Sequence, residues 1–153
     1  MAVHSDFAAG EALGIRREDI ITSRPLPGTL VFIDTIMQLS QGHWLEGMAF
    51  RASEINAPSG SVRWLRSMQE HYGFPSEALG WWSTHATVDV EHGNISLEAY
   101  GKHAREEWEQ TRSLQAIERM LAASRVFFDG IMEAGEAGLR GEDVGFPLPA
   151  EVR

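Results

Sequence analysis

Two histidines and an aspartate follow one another at helical spacing in the middle of the chain. His85, Asp89 and His92 stand at positions i, i+4 and i+7, just after Trp81 and Trp82. At about 100° per residue, the three side chains fall within roughly 60° of one another and form one seam over two helical turns. Imidazole nitrogen with carboxylate oxygen is the ligand set of non-heme iron or manganese, whereas calcium and magnesium prefer oxygen alone. The seam therefore predicts a metal site.

The same three residues also fit a solvated helix face. In that interpretation Asp89 pairs with His85 or His92 as a helix neighbour, and no metal is bound. Glu91 and Glu98 supply a polar surface elsewhere on the same helix. This second polar surface favours an inward position for the seam.

Composition and charge narrow the class of protein. The 153-residue chain has the size of one domain and contains no cysteine, which excludes disulfides, zinc-thiolate sites and cysteine nucleophiles. The formal net charge of -9 repels nucleic-acid phosphates and anionic lipid. The first residues lack the pattern of a signal peptide, and no apolar run approaches the length of a membrane span. We therefore expect a cytoplasmic protein with neither nucleic acid nor a membrane as partner.

Hydrophobic periodicity predicts helices along the chain and no strands. The predicted helices cover residues 5–13, 16–20, 29–39, 44–55, 61–72, 76–100 and 105–134. Gly14 is expected to end the first helix, and Pro58 is expected to stop the helix predicted at 44–55. Ser76 is expected to cap the helix that carries the seam. Residues 1–134 should form a single helical bundle domain, followed by an irregular tail at 135–153. In bundles, metal sites are built from side chains that project inward from facing helices.

Several short motifs between His4 and His92 resemble those of a known family. Besides the seam, these motifs are Glu54 with Pro58 four positions on, Tyr72-Gly73, Trp81-Trp82, and His4-Ser5-Asp6-Phe7 followed by Ala12-Leu13-Gly14. Together they resemble the heme-oxygenase-like diiron oxidases, which are relatives of pyrroloquinoline-quinone synthase and thiaminase II. The resemblance implies an all-α, heme-oxygenase-like helical bundle.

The resemblance also implies a non-heme iron site. Its protein ligands would be His85, His92, Glu54, Asp89 and His4. In the family, the third core helix gives the His, Asp and His, the second core helix gives a Glu at the place of Glu54, and the first gives a His. Manganese is the alternative metal. A salt bridge to Arg51 is the alternative role for Glu54.

The implied activity is that of an iron-dependent oxidase or oxygenase, which uses dioxygen to oxidise a small amine, an amino acid or a fatty acid. One alternative is a cofactor-free oxidase that resembles pyrroloquinoline-quinone synthase, in which the same histidines bind the substrate. Another is a non-catalytic subunit or the partner of a split enzyme. Thiaminase II activity is disfavoured because its nucleophilic cysteine has no counterpart in this sequence.

The chain departs from the family pattern at its start. Family members carry a further ligand Glu several residues before the His that His4 matches, and a leading helix before that, whereas only three residues precede His4. The bundle is therefore expected to be N-terminally short, and its site to be di-iron or an incomplete mono-iron site. Glu11, on the same helix face as His4, is a candidate substitute, although an exposed carboxylate is its more ordinary role.

A bundle that lacks part of its first core helix leaves apolar stripes uncovered. Leu30, Ile33 and Leu65 lie on such stripes. Exposed apolar patches of this kind mark protein interfaces. We therefore expect a homodimer with its contact beside the first helix, or a partner subunit that supplies the missing helix.

Overall fold

The computed structural model describes residues 3–52 and 57–145, without the side chains of residues 3–6, 52 and 57–59. Seven α-helices and a 3-10 turn occupy these residues, and no strand occurs among them. The helices are α1 (Val3–Ala12), α2 (Arg17–Thr22), α3 (Pro27–Gln41), α4 (Trp44–Ala52), α5 (Ala57–Tyr72), α6 (Gly80–His103) and α7 (Glu107–Leu139). The all-α prediction is confirmed.

Glycine and proline set several helix boundaries. Gly14 follows α1 with φ 79°, a left-handed conformation that glycine adopts without strain and that ends the helix as predicted. Helix α3 begins at Pro27, earlier than predicted, because the missing proline N–H has no intrahelical partner to lose at the first position. The same argument places Pro58 in the first turn of α5.

The start of the helix that carries the seam also differs from the prediction. Ser76 does not cap this helix; it opens the 3-10 turn Ser76–Leu79, and α6 begins at Gly80. Ala78 and Leu79 of this turn are buried. Packing of the turn against the bundle therefore decides the local geometry, and the capping preference of serine does not.

The end of the last helix also differs from the prediction. Helix α7 continues to Leu139, so residues 135–139 of the predicted irregular tail are helical. At the other end of α7, Glu106 and Glu109 form a reciprocal capping box, in which each side chain accepts a backbone N–H of the other residue. This cap fixes where the longest helix begins.

The bundle is organised around α4 and α7. Helix α7 packs against α3 and α4, and α6 packs against α4 and α5. The buried core between α3, α4 and α7 consists of Leu39, Ala49, Ala116 and Met120. Helix α1 contacts the 3-10 turn and α6. None of the described helices is both long enough and apolar enough to cross a membrane.

One glycine sets how closely α3 approaches α7. A Cβ atom added at Gly28 would lie 2.5 Å from the carbonyl oxygen of Val126, and 3.2 Å from the Cα of Phe127. Both neighbours are backbone atoms, which cannot rotate away as a side chain can. Gly28 is buried, and this contact is possible only without a side chain at that position.

Gly28→Ala should destabilise the protein, because the added methyl group separates α3 from α7 or strains the backbone between them. We expect the free energy of unfolding to fall by about 1–3 kcal/mol, measured by urea denaturation. Gly135→Ala is the matched control, since nothing lies within 4 Å of a Cβ built there on α7. The control should gain about 0.5–1 kcal/mol from helix propensity. Unchanged stability of the Gly28 variant would contradict the close approach.

Candidate metal centre

Helix α6 places the predicted seam on a face that is turned into the bundle. The helix packs against α4 and α5. Asp89, Gly93 and Ser96 are its buried residues, and His85 and His92 are partly buried beside them. Because Asp89 exposes only 6% of its surface, the seam is not a solvated face.

His85 is held by Trp81, one turn earlier on α6. The imidazole Nδ1 lies 2.9 Å from the carbonyl oxygen of Trp81. A carbonyl only accepts hydrogen bonds, so Nδ1 carries the proton and Nε2 keeps its lone pair. The imidazole also stacks on the indole of Trp81, with ring centroids 3.9 Å apart. Both contacts orient His85 with one nitrogen available to bind a metal ion.

His92 has a different environment. Its Nδ1 lies 3.4 Å from Nη2 of Arg51, which reaches it from the last turn of α4. A guanidinium only donates hydrogen bonds, so Nδ1 of His92 is the acceptor. This contact uses the lone pair of Nδ1. A metal ion can bind at that atom only if Arg51 moves.

One buried polar atom and one largely buried residue on the inward side of α6 have no partner among the residues that the structure describes. Among the residues that the structure describes, none forms a hydrogen bond or ion pair with the carboxylate of Asp89. The buried Nε1 of Trp82, seven residues earlier on the same side of α6, has no partner in that part of the chain either. Buried polar atoms are usually paired, and an unpaired buried charge is unfavourable. A cation beside Asp89 and an oxygen acceptor beside Trp82 would satisfy both groups, and imidazole with carboxylate is the type of donor set that iron binds.

The remaining predicted ligands are not tested by the structure. Glu54 lies outside the described residues. His4 belongs to α1, which contacts α6 and the preceding 3-10 turn, but its side chain is not described. Within the described part of the chain, no three His, Asp or Glu side chains come together as a metal centre, and this holds for His85, Asp89 and His92 as well.

Two other carboxylates that could serve as ligands have partners of their own. Glu11 accepts a hydrogen bond of 2.8 Å from Nε of Arg17, and both side chains are exposed. Glu46 accepts hydrogen bonds from the backbone N–H of His43 and from Nε of Arg112, each at 3.0 Å. These pairs favour structural roles for both carboxylates.

An aromatic group that the sequence did not predict lies at the opposite end of α6. The imidazole of His43 lies 5.8 Å from the indole of Trp108, and that of His103 lies 5.9 Å from the indole of Trp44. An open groove of about 610 Å³ begins beside Trp108 and runs along α7. The i, i+4 spacing of Trp108 and Arg112 was the feature of the sequence that could have indicated this group. The contacts of the group with α4 could not be predicted, because they join parts of the chain that are far apart in the sequence.

A family model described as iron-containing redox enzyme matches residues 4–125. The match covers most of the chain, so the chain belongs to this family, and its helical bundle is of the heme-oxygenase-like kind. The predicted family and fold are thereby confirmed. No curated protein and no solved structure matches the chain. Family membership indicates an oxidoreductase-type function and suggests iron as the metal.

Asp89→Asn should leave the metal-free protein about as stable as the wild type, because the amide keeps the shape of the side chain and no described residue pairs with the carboxylate. The urea midpoints of chelator-treated proteins would test this. Asp129→Asn is the control, since Asp129 is an exposed carboxylate in a weak ion pair with Arg125 and should change stability little. A loss of more than about 1 kcal/mol on Asp89→Asn would contradict an unpaired carboxylate.

Proposed function

We propose that this protein is a non-heme iron oxidase or oxygenase, and that the seam of His85, Asp89 and His92 holds the metal. The observation that supports this most strongly is Asp89, a buried carboxylate with a histidine on either side of it along one helix face and no partner among the described residues. A divalent cation is the partner that such an arrangement suits. When bound, iron would supply the redox and dioxygen chemistry that amino-acid side chains lack.

The protein's own part is to orient the ligands and to exclude water. The carbonyl of Trp81 keeps the proton of His85 on Nδ1, and the stacked indole limits rotation of the imidazole. Trp82 adds apolar surface on the inward side of α6 and an N–H that can donate to an oxygen atom of a ligand or substrate. A fixed imidazole binds metal with little reorganisation.

Glu54 and His4 are the further ligands that we propose. A two-metal site in a helical bundle needs about six protein ligands, so the seam alone leaves a second metal under-coordinated. Support for His4 comes from the contact of α1 with α6, which brings the two helices together. Glu54 follows α4, whose last turn already reaches the seam through Arg51. Manganese is the alternative occupant of this nitrogen and oxygen donor set.

The proposed substrates are dioxygen and a small amine, amino acid or fatty acid. Arg51 supports the two carboxylate-bearing classes, because its guanidinium lies at the edge of the seam beside His92. Arginine binds carboxylates through paired hydrogen bonds. A substrate carboxylate could exchange places with the imidazole on Arg51.

The second candidate function is that of a cofactor-free oxidase, in which the seam binds the substrate. The contact between Arg51 and His92 favours it, because Nδ1 of the imidazole already accepts from a guanidinium and is not presented to a metal. In this function His85 would present a hydrogen-bond acceptor at Nε2, and Arg51 would bind an anionic group of the substrate. The two functions differ in whether chelation abolishes dioxygen consumption.

His85→Ala and His92→Ala should each remove most of the bound iron while the helical circular dichroism stays close to that of the wild type. Asp89→Asn should bind iron about 10- to 100-fold more weakly than the wild type, but better than the histidine variants. Iron per chain would be measured after anaerobic loading with ferrous ion. His71→Ala is the matched control, since His71 is exposed in the last turn of α5 and should retain full loading. Equal iron content in the wild type and both seam variants would refute the metal site and favour the cofactor-free function.

Arg51→Ala distinguishes the two functions directly. If the seam binds iron, removal of the guanidinium takes away one hydrogen-bond donor that competes with a metal for Nδ1 of His92, so iron should bind at least as tightly as in the wild type. If the protein is cofactor-free, the same variant should lose affinity for a carboxylate substrate without any effect of metal. Dioxygen uptake before and after chelation, measured on the wild type and on the variant, would separate these outcomes.

A further inference from the structure

The longest helix presents an apolar stripe to solvent. Leu114, Leu121 and Phe128 of α7 are spaced by seven residues and expose 61%, 60% and 43% of their surfaces. This spacing keeps side chains on one helix face, with a drift of about 20° per heptad. Ala116 and Met120 face the core with α3 and α4. The three exposed residues, called here the α7 stripe, are therefore a second apolar face on the same helix.

The α7 stripe continues onto a neighbouring helix. The ring of Phe128 meets the indole of Trp64 on α5 edge to face, with centroids 5.5 Å apart, and Trp64 itself exposes 45% of its surface. From Leu114 to Phe128 the stripe is about 21 Å long. A row of exposed apolar side chains on a water-facing helix is typical of a protein interface.

We propose that the α7 stripe binds the α7 stripe of a second copy of this chain, with the two helices antiparallel about a twofold axis at Leu121. Leu114 and Phe128 are equally distant from Leu121 in the sequence. In this arrangement Leu121 meets the partner's Leu121, and Leu114 meets the partner's Phe128. A twofold contact requires such self-complementarity, and the heptad spacing suits the shallow crossing of paired helices.

Charge along the edge of the stripe favours the same occupant and the same direction. Glu118 follows Leu114 by four residues and Arg125 follows Leu121 by four, so both line one edge. With the twofold axis at Leu121, Glu118 lies within one residue of the partner's Arg125. The symmetry produces two such pairs in the dimer. Arg125 now pairs only loosely with Asp129, at 3.6 Å, and both side chains are largely exposed. Replacing the ion pair of Arg125 and Asp129 by one between Arg125 and the partner's Glu118 therefore costs little free energy.

The surface beside α3 is the competing interface. Leu30 and Ile33 each expose 49% of their surfaces, and Leu65, the third residue of the predicted patch, lies on α5. Helix α3 contains a single charged residue, Asp34. A twofold contact there would gain no opposite-charge pair along α3, so this face lacks the charge complementarity of the α7 stripe.

Sedimentation velocity of the full chain at tens of micromolar tests the proposal. We expect a dimer for the wild type, a monomer for Leu121→Glu and a dimer for Leu30→Glu, the matched control on α3. Because both residues are well exposed, neither variant should lose helical circular dichroism. A monomeric wild type would overturn the proposal. A Leu30→Glu monomer beside a Leu121→Glu dimer would also overturn it and assign the contact to α3 or to a different partner subunit.

A charge exchange tests the antiparallel register without touching apolar surface. Glu118→Arg and Arg125→Glu should each raise the dimer dissociation constant about tenfold, because each creates like-charge pairs twice. The double variant restores opposite charges and should return to within about threefold of the wild type. A double variant that dissociates more readily than either single variant would overturn the antiparallel pairing.

Discussion

The described part of helix α4 spans only nine residues, yet it packs against both α6 and α7. Leu45 and Ala49 on α4 are almost completely buried, and Ala49 belongs to the core with α3 and α7. The other helices build outward from this contact, with α3 on α7 and α5 on α6. The position of the seam relative to the core therefore depends on how well α4 fills the space between its two neighbours.

The two histidines of the seam are held in opposite ways. Nδ1 of His85 donates a hydrogen bond to a carbonyl of its own helix, whereas Nδ1 of His92 accepts a hydrogen bond from Arg51 on α4. One imidazole is thus oriented by local backbone geometry and the other by tertiary packing. Binding of a cation at the seam would be coupled through His92 to the position of the Arg51 side chain on α4. It would involve little change at His85. Asp89, between them, supplies the negative charge that makes a cation favourable there.

Most of the helices could be predicted from periodicity, because an apolar face with a period near 3.6 residues leaves few alternatives. The contact of Trp81 with His85 follows the same i, i+4 geometry and lies within reach of sequence analysis. The contact of Arg51 with His92 does not, since it joins residues that only the packing of α4 on α6 brings together. The 3-10 turn before α6 escaped prediction for the same reason, because the burial of Leu79 outweighed the capping preference of Ser76. The place of His85, Asp89 and His92 on one face was predictable, but the absence of a described partner for Asp89 was not.

The close approach at Gly28 limits how the chain can vary in length. The contacts of helix α7 with the rest of the bundle include the pair of Arg112 with Glu46 near its start and the approach of the Val126 carbonyl to Gly28 further along. One residue inserted or deleted between Arg112 and Val126 would rotate everything after it by about 100°. A side chain would then meet Gly28 in place of a carbonyl, and the apolar faces of α7 would turn away from their neighbours. Loops between these helices can gain or lose residues, but this segment of α7 has a fixed length.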